Sequence, residues 1–148
     1  MTKRIKIAET DEEIKSCFPV MAELRPHITG EGELLVRVKS QQSINGYRLA
    51  FLTEGTEVKA VAGFTISECL AWGKVMCVEE LVTTSSERSK GYGQFLFDWL
   101  VEYARGQGCA ELHLDSRVHR FDAHRFYLRN RMEIRCHHFG LTLNQAAF

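Results

Sequence analysis

Proline is scarce in this chain, with only Pro19 and Pro26 among 148 residues. That leaves no proline-rich linker. Neither sign of charge is in excess, since nineteen basic residues face nineteen acidic ones. A chain-wide field that would draw in nucleic acid or an anionic membrane surface is therefore not expected. No apolar run approaches the roughly 18 residues of a membrane span. The start, MTKRIKIAET, lacks the apolar stretch of a signal peptide. The five cysteines, Cys17, Cys69, Cys77, Cys109 and Cys136, are odd in number and include no C-x-x-C pair. Neither a zinc knuckle nor a disulfide framework is indicated, and the thiols read as small core hydrophobes in a reducing cytoplasm. His113, His119, His124, His137 and His138 show no H-x-x-x-H or clustered Cys/His spacing, so no metal is expected.

What is present is an ordinary globular composition, 45% hydrophobic and 26% charged. At this length residues 1–148 read as one domain that can bury a core without staples. KRIKIA (Lys3 to Ala8) alternates like a strand. TDEEIKSCFPVMAEL opens on an N-capping Thr10 or Asp11 with acids in the first turn, which predicts a helix kinked at Pro19. Pro26 closes that segment, and EGELLVRVKSQQSI predicts a second helix ending near Asn45-Gly46. YRLAFLTEG and EVKAVAGFTIS form a hairpin pattern around Gly55, and KVMCVEELVTT adds a third consecutive strand. Gly91 to Arg105 has an apolar helical stripe, AELHLDS is a strand and FDAHRFYLRNR a short helix. IRCHHFGLTL alternates through Phe139, Leu141 and Leu143 and predicts one or two closing strands. The expected fold is mixed α/β, a mainly antiparallel six- to seven-stranded sheet with about four helices.

The stretch TTSSERSKGYGQFLFDWL, Thr83 to Leu100, joins a loop rich in hydroxyl and charged groups to an amphipathic helix. A helix N-terminus offers unpaired N–H groups and partial positive charge, and glycine lets the backbone come close to a ligand. Arg88, Ser89, Lys90 and Gly91-Tyr92-Gly93 would suit a pyrophosphate there. A Walker loop is excluded because no Gly-Lys-Ser/Thr is present, and a dinucleotide fingerprint because Leu96 stands where its third glycine belongs. On spacing alone R-x-x-G-x-G is a weak signal, and an ordinary strand-to-helix turn is the favoured reading.

The longer stretch VEELVTTSSERSKGYGQFLFDWLVEYA resembles the cofactor-binding motif of the GNAT superfamily of acetyl-CoA-dependent N-acetyltransferases. Leu81-Val82-Thr83 matches the end of its strand and Arg88 to Gly93 its Q/R-x-x-G-x-G/A loop. AHRFY, Ala123 to Tyr127, is similar to the family's tyrosine helix, and the order of elements agrees from about Lys3 to Leu143. Ser85, Arg120 and Arg131-Met132 depart from the common pattern, which has proline, asparagine and Gly-Phe there.

The resemblance implies acetyl-CoA as co-substrate, without metal, and a small-molecule or peptide amine as acceptor. It implies that Leu81 and Thr83 pair with pantetheine, that a nearby amide such as that of Val82 polarises the thioester carbonyl, and that Arg88, Ser89, Lys90, Gly91, Tyr92, Gly93 and Gln94 hold the pyrophosphate. Tyr127 would stand near the cofactor sulfur as a proton or hydrogen-bond donor. An unperturbed phenol near pKa 10 and a thiol near about 8.5 make full proton transfer uphill by roughly 2 kcal/mol. Tyr127 therefore either has a lowered pKa or mainly hydrogen-bonds the sulfur. Asp115, Glu79 and Glu80 are candidate bases, and strand alternation should turn only one of the last two towards a cleft. Arg25 and His27 would shape the acceptor site. A homodimer is compatible with the family. Two other classes stay open: an acyl-CoA-binding sensor without catalysis, for which Arg120 and Arg131-Met132 speak, and a module for another phosphate compound.

Overall fold

A computed structural model of the chain describes residues 2–145. It divides into two compact units, Met1–His113 and Leu114–Phe148. The first holds a sheet of order β1-β2-β3-β4-β5, whose strands are β1 (Lys3–Ile7), β2 (Arg48–Glu54), β3 (Glu57–Cys69), β4 (Gly73–Thr83) and β5 (Glu111–Leu114). The pairs β1/β2, β2/β3 and β3/β4 are antiparallel. Its helices are α1 (Asp11–Ser16), α2 (Phe18–Leu24), α3 (Glu31–Asn45) and α4 (Tyr92–Gly106). The second unit holds α5 (Phe121–Arg129). Among the described residues no helix is long and apolar enough to cross a membrane.

One face of the sheet supplies Leu49, Phe51 and Val61 to a core with Ile14, Cys17, Val20, Met21, Leu34 and Val38 from the first three helices. Leu96, Phe97, Leu100 and Ala104 of α4 form a second buried stripe at helical spacing. Burial pushes the Cys17 thiol up to about 12, which keeps it an inert apolar filler.

The expected kinked first helix is two helices. Cys17 ends α1, and Pro19 sits in the first turn of α2, where its missing N–H breaks no hydrogen bond. This division gives five α-helices among the described residues where about four were expected. The expected closing strands over 134–143 are absent, which leaves five strands among the described residues instead of six or seven. Phe139, Leu141 and Leu143 are 92%, 85% and 81% exposed. Alternation alone does not make a strand. Its ladder must pair, and Gly140 weakens this segment from within.

A capping box opens α1: Thr10 Oγ1 accepts from the Glu13 N–H at 3.1 Å, and Glu13 Oε1 accepts from the N–H groups of Glu9 and Thr10. Lys6 Nζ lies 2.5 Å from Glu13 Oε2. Lys6 and then the Glu9 N–H hold the Glu13 carboxyl down, from 4.5 to about 2. A depressed folded-state pKa stabilises above the unfolded value and loses that contribution as pH falls through the folded one. Denaturant titrations of Glu13→Gln should therefore show lower stability than the parent at pH 7, with the gap closing as pH falls from 4.5 towards 2. A gap independent of pH would contradict this.

Candidate active site

β4 reaches the site through a bulge. Gly63 pairs with Glu80 and Phe64 with Val78, so the register shifts by one and Glu79 is the inserted residue of a bulge. Beyond it the ladder is regular, with Leu81 opposite Ala62, Val82 opposite Val61 and Thr83 opposite Ala60. The Thr84 N–H donates to Lys59 O at 2.9 Å, so the period of two turns the Val82 N–H towards β3 as well. The N–H and C=O groups of Leu81 and Thr83 then face the other edge. β5 approaches that edge only near its start, where the Ala110 N–H donates to Lys74 O at 2.7 Å. Four residues span about 13 Å, far less than the eleven of β4. Starting beside Lys74, a four-residue β5 is too short to reach Leu81–Thr83. Val82 is buried and Leu81 and Thr83 are half-buried. The expectation of a polarising Val82 amide does not suit this register, because that amide belongs to the β3 ladder.

The loop after β4 is held at both ends. Glu23 of α2 accepts from Thr84 Oγ1 at 3.0 Å and from the Ser85 N–H at 2.9 Å. Ser85–Glu87 forms one 3-10 turn. Glu87 then binds Lys59 at 3.0 Å and Lys90 at 2.6 Å. Lys59 is itself a bulge residue in β3, since Leu52 pairs with Ala60 and Thr53 with Val58. Lys90 and then Lys59 hold the Glu87 carboxyl below the usual carboxylate range. Arg88 Nη2 lies 3.9 Å from Glu23 Oε1. Arg88, Ser89 and Lys90 are exposed, and Ser89 takes φ +70°.

Gly91 is the N-cap of α4 at φ +85° and carries no capping side chain. The first α-helical bond runs from the Phe95 N–H to Gly91 O at 3.0 Å. The N–H groups of Tyr92 and Gly93 therefore lie in the first turn, which has no intrahelical acceptors. Tyr92 directs its ring inward: its hydroxyl donates to Glu54, and Lys3 Nζ lies 5.2 Å from the ring centroid. Only its backbone is available to a ligand. The Gln94 side chain donates to Asp98 at 2.8 Å. Carboxylate-held cations, a hydroxyl and a glycine-capped helix start form a donor set that fits a pyrophosphate.

Glu80 and Arg25 meet. Arg25, the C-cap of α2, donates from Nε (3.2 Å) and Nη2 (3.0 Å) to Glu80 Oε2, and from Nη2 to Glu79 O at 2.9 Å. The Tyr47 hydroxyl donates to Glu80 Oε1 at 2.6 Å. Both oxygens of Glu80 are thus occupied, whereas the Glu79 side chain is exposed. His27 is exposed in the turn after α2.

In the second unit Tyr127 lies on α5, half-buried, and burial raises its hydroxyl pKa, partly offset by Arg120. The sequence left open a lowered value, and the structure gives the opposite direction. Arg131 adopts φ +66°. Its N–H donates to Leu128 O at 3.0 Å and the Met132 N–H to Tyr127 O at 3.1 Å, the two bonds of a Schellman turn. Arginine therefore makes this turn, where the resemblance led to glycine, at a cost of about 1–2 kcal/mol. Asp115 is exposed, with Oδ2 3.1 Å from His138 Nδ1. Among the described residues no three His, Cys, Asp or Glu side chains are grouped to hold a metal.

Sequence reasoning missed Glu23, Glu54, Tyr47 and Gly63. Glu87 sat unremarked inside the loop motif, where its spacing of three from Lys90 was a visible signal. The others act across the chain.

Residues 9–131 match the acetyltransferase (GNAT) family. The chain is 35% identical over 123 residues to an uncharacterized N-acetyltransferase, YhdJ, of Bacillus subtilis (strain 168), covering 83% of this chain and 86% of that protein. Its fold is similar to a transcriptional regulator from Bacillus halodurans C-125 (TM-score 0.79, 24% identity, 97% and 99% of the two chains). It is also similar to a GNAT family acetyltransferase of Staphylococcus aureus subsp. aureus USA300_TCH1516 (TM-score 0.80, 20% identity, 97% and 100% covered). By the extent of the family match and the identity to the Bacillus subtilis relative, the chain belongs to the acetyltransferase (GNAT) family.

Proposed function

We propose that this chain transfers an acetyl group from acetyl-CoA to a primary amine by direct attack, as one catalytic domain in the cytoplasm. The observation that carries the reading is the glycine-capped start of α4 behind a loop already fixed by Glu23 and Glu87. The family match at 9–131 runs across both compact units, which favours a single catalytic domain. Five free cysteines suit a reducing compartment.

Acetyl-CoA supplies the activated acetyl thioester. Arg88 to Gln94 hold its pyrophosphate, with side chains from Arg88, Ser89 and Lys90 and backbone N–H groups at the start of α4. Leu81 and Thr83 offer outward N–H and C=O groups to pantetheine, and one of those N–H groups polarises the thioester carbonyl. The amine nitrogen bonds to that carbon, the C–S bond breaks, one amine proton leaves and the sulfur gains one. Both oxygens of Glu80 are engaged, and Glu79 and Asp115 stay the candidate carboxylates for the amine proton, directly or through water. His27 and the turn after α2 shape the acceptor site, which takes a small-molecule or peptide amine. With its pKa raised, Tyr127 serves the departing sulfur as a hydrogen-bond donor, since burial widens the uphill gap to a thiolate.

Steady-state assays with a panel of amines test this reading. Tyr127→Phe should lower kcat by on the order of ten- to a hundredfold while acetyl-CoA affinity stays within about threefold. Equal losses in both would remove Tyr127 from its assigned role. The sensor alternative loses one of its supports, because Arg131 forms the turn that the departure from glycine called into question.

A further inference from the structure

Arg25, Glu80, Tyr47 and Gly63 come from four separate elements or element ends and meet at the β4 bulge. Glu80 is 15% exposed and takes Arg25 on one oxygen and Tyr47 on the other. Tyr47 is 5% exposed, and burial followed by Glu80 raises its hydroxyl pKa well above the ordinary value, so it stays a donor. Gly63, opposite Glu80 in β3, makes room for the pair: a Cβ there would lie 1.7 Å from Tyr47 Oη and 2.4 Å from Glu80 Oε1. Arg25 also grips the carbonyl of Glu79, the bulged residue itself.

Two residues later begins the edge Leu81–Thr83. A bulge bends its strand and is fixed only by what surrounds it. Here the β3 ladder skips Glu79, so the Arg25 guanidinium takes the bulge carbonyl and Glu80 fixes the guanidinium. A planar guanidinium with two donors on one carboxylate oxygen, while a buried phenol holds the other oxygen, sets direction better than a lone point charge would.

We infer that Arg25, Glu80 and Tyr47 are positioning residues that set the direction in which Leu81–Thr83 leaves the bulge, and so govern binding of the pantetheine arm but not of the phosphates. The inference rests on the acetyl-CoA reading above. It assigns Arg25 to the strand instead of the acceptor, and Glu80 to the guanidinium instead of the amine proton.

Calorimetric titrations of the full chain separate the possibilities, with acetyl-CoA and with 3′-phosphoadenosine 5′-diphosphate, which keeps the phosphates and lacks the arm. The variants are Tyr47→Phe, Arg25→Lys and Glu80→Gln, each checked for cooperative thermal unfolding. Tyr47→Phe and Arg25→Lys should weaken acetyl-CoA about tenfold, the loss of a hydrogen bond to a charged group. Binding of the arm-less nucleotide should be unchanged, and Glu80→Gln, which keeps an acceptor for the Tyr47 hydroxyl, should lose less. Folded variants that bind acetyl-CoA like the parent, or that lose both ligands equally, overturn the inference and leave the acetyltransferase reading intact. A folded parent that binds neither ligand overturns that reading itself, and the inference with it.

Discussion

Gly91→Glu is expected to weaken acetyl-CoA binding by on the order of a hundredfold while leaving a folded protein. Gly91 holds φ +85°, and a Cβ built on it meets nothing within 4 Å. An L-residue there costs about 1–2 kcal/mol of backbone strain without a clash. The carboxylate would sit at the start of α4, where it suits the helix dipole and so harms the fold little. A phosphate in the same place meets it as a like charge. At about 5 Å and an effective dielectric near 20 the repulsion is roughly 3 kcal/mol, on the order of a hundredfold in affinity. Gly91→Ala carries the strain alone and should lose about tenfold or less. Calorimetry with both variants checks the pair, and a folded Gly91→Glu protein that binds like the parent would remove the phosphate role from this loop.

The second large effect is on stability. Gly63→Ala puts a methyl 1.7 Å from Tyr47 Oη and 2.4 Å from both Tyr47 Cζ and Glu80 Oε1. A flexible side chain would swing aside, but the Tyr47 ring is buried and Glu80 is pinned by Arg25. Either the strands separate locally or the Tyr47–Glu80 hydrogen bond breaks and leaves its donor unpaired. Overpacking and a lost bond to a carboxylate together cost about 2–4 kcal/mol. For a chain of this size that is roughly a 5–15 °C fall in Tm. Thermal unfolding followed by circular dichroism measures it, and an unchanged Tm would mean that the network is slack.

Local signals in the sequence located most elements. Gly46 and Gly55 take left-handed φ values at the end of α3 and in the β2/β3 turn, as their places in the pattern predict. The apolar stripe of α4 is the one that Leu96, Leu100 and Ala104 announce. The same reasoning overreached at Phe139–Leu143, because period two is necessary for a strand but pairing is what forms it. The loop Arg88–Gly93 was legible because its parts are neighbours in sequence. Glu23 was not, since it reaches Ser85 across 62 positions, nor was Tyr47, 33 positions from Glu80. The bulge at Glu79 left no mark in composition, yet it interrupts the regular ladder on which the alternation of Glu79 and Glu80 was reasoned.

Arg88 and Lys90 already stand beside Glu23 and Glu87, and the whole chain is electrically neutral. A polyanion approaching from several ångströms away meets a balanced surface, with little field to steer it. Encounter is then governed by diffusion and orientation, and its rate depends only weakly on ionic strength. On the acetyl-CoA reading, recognition begins at contact, when the phosphates would take the cations over from their carboxylates. Selectivity between ligands of similar charge thus falls to how long each one stays.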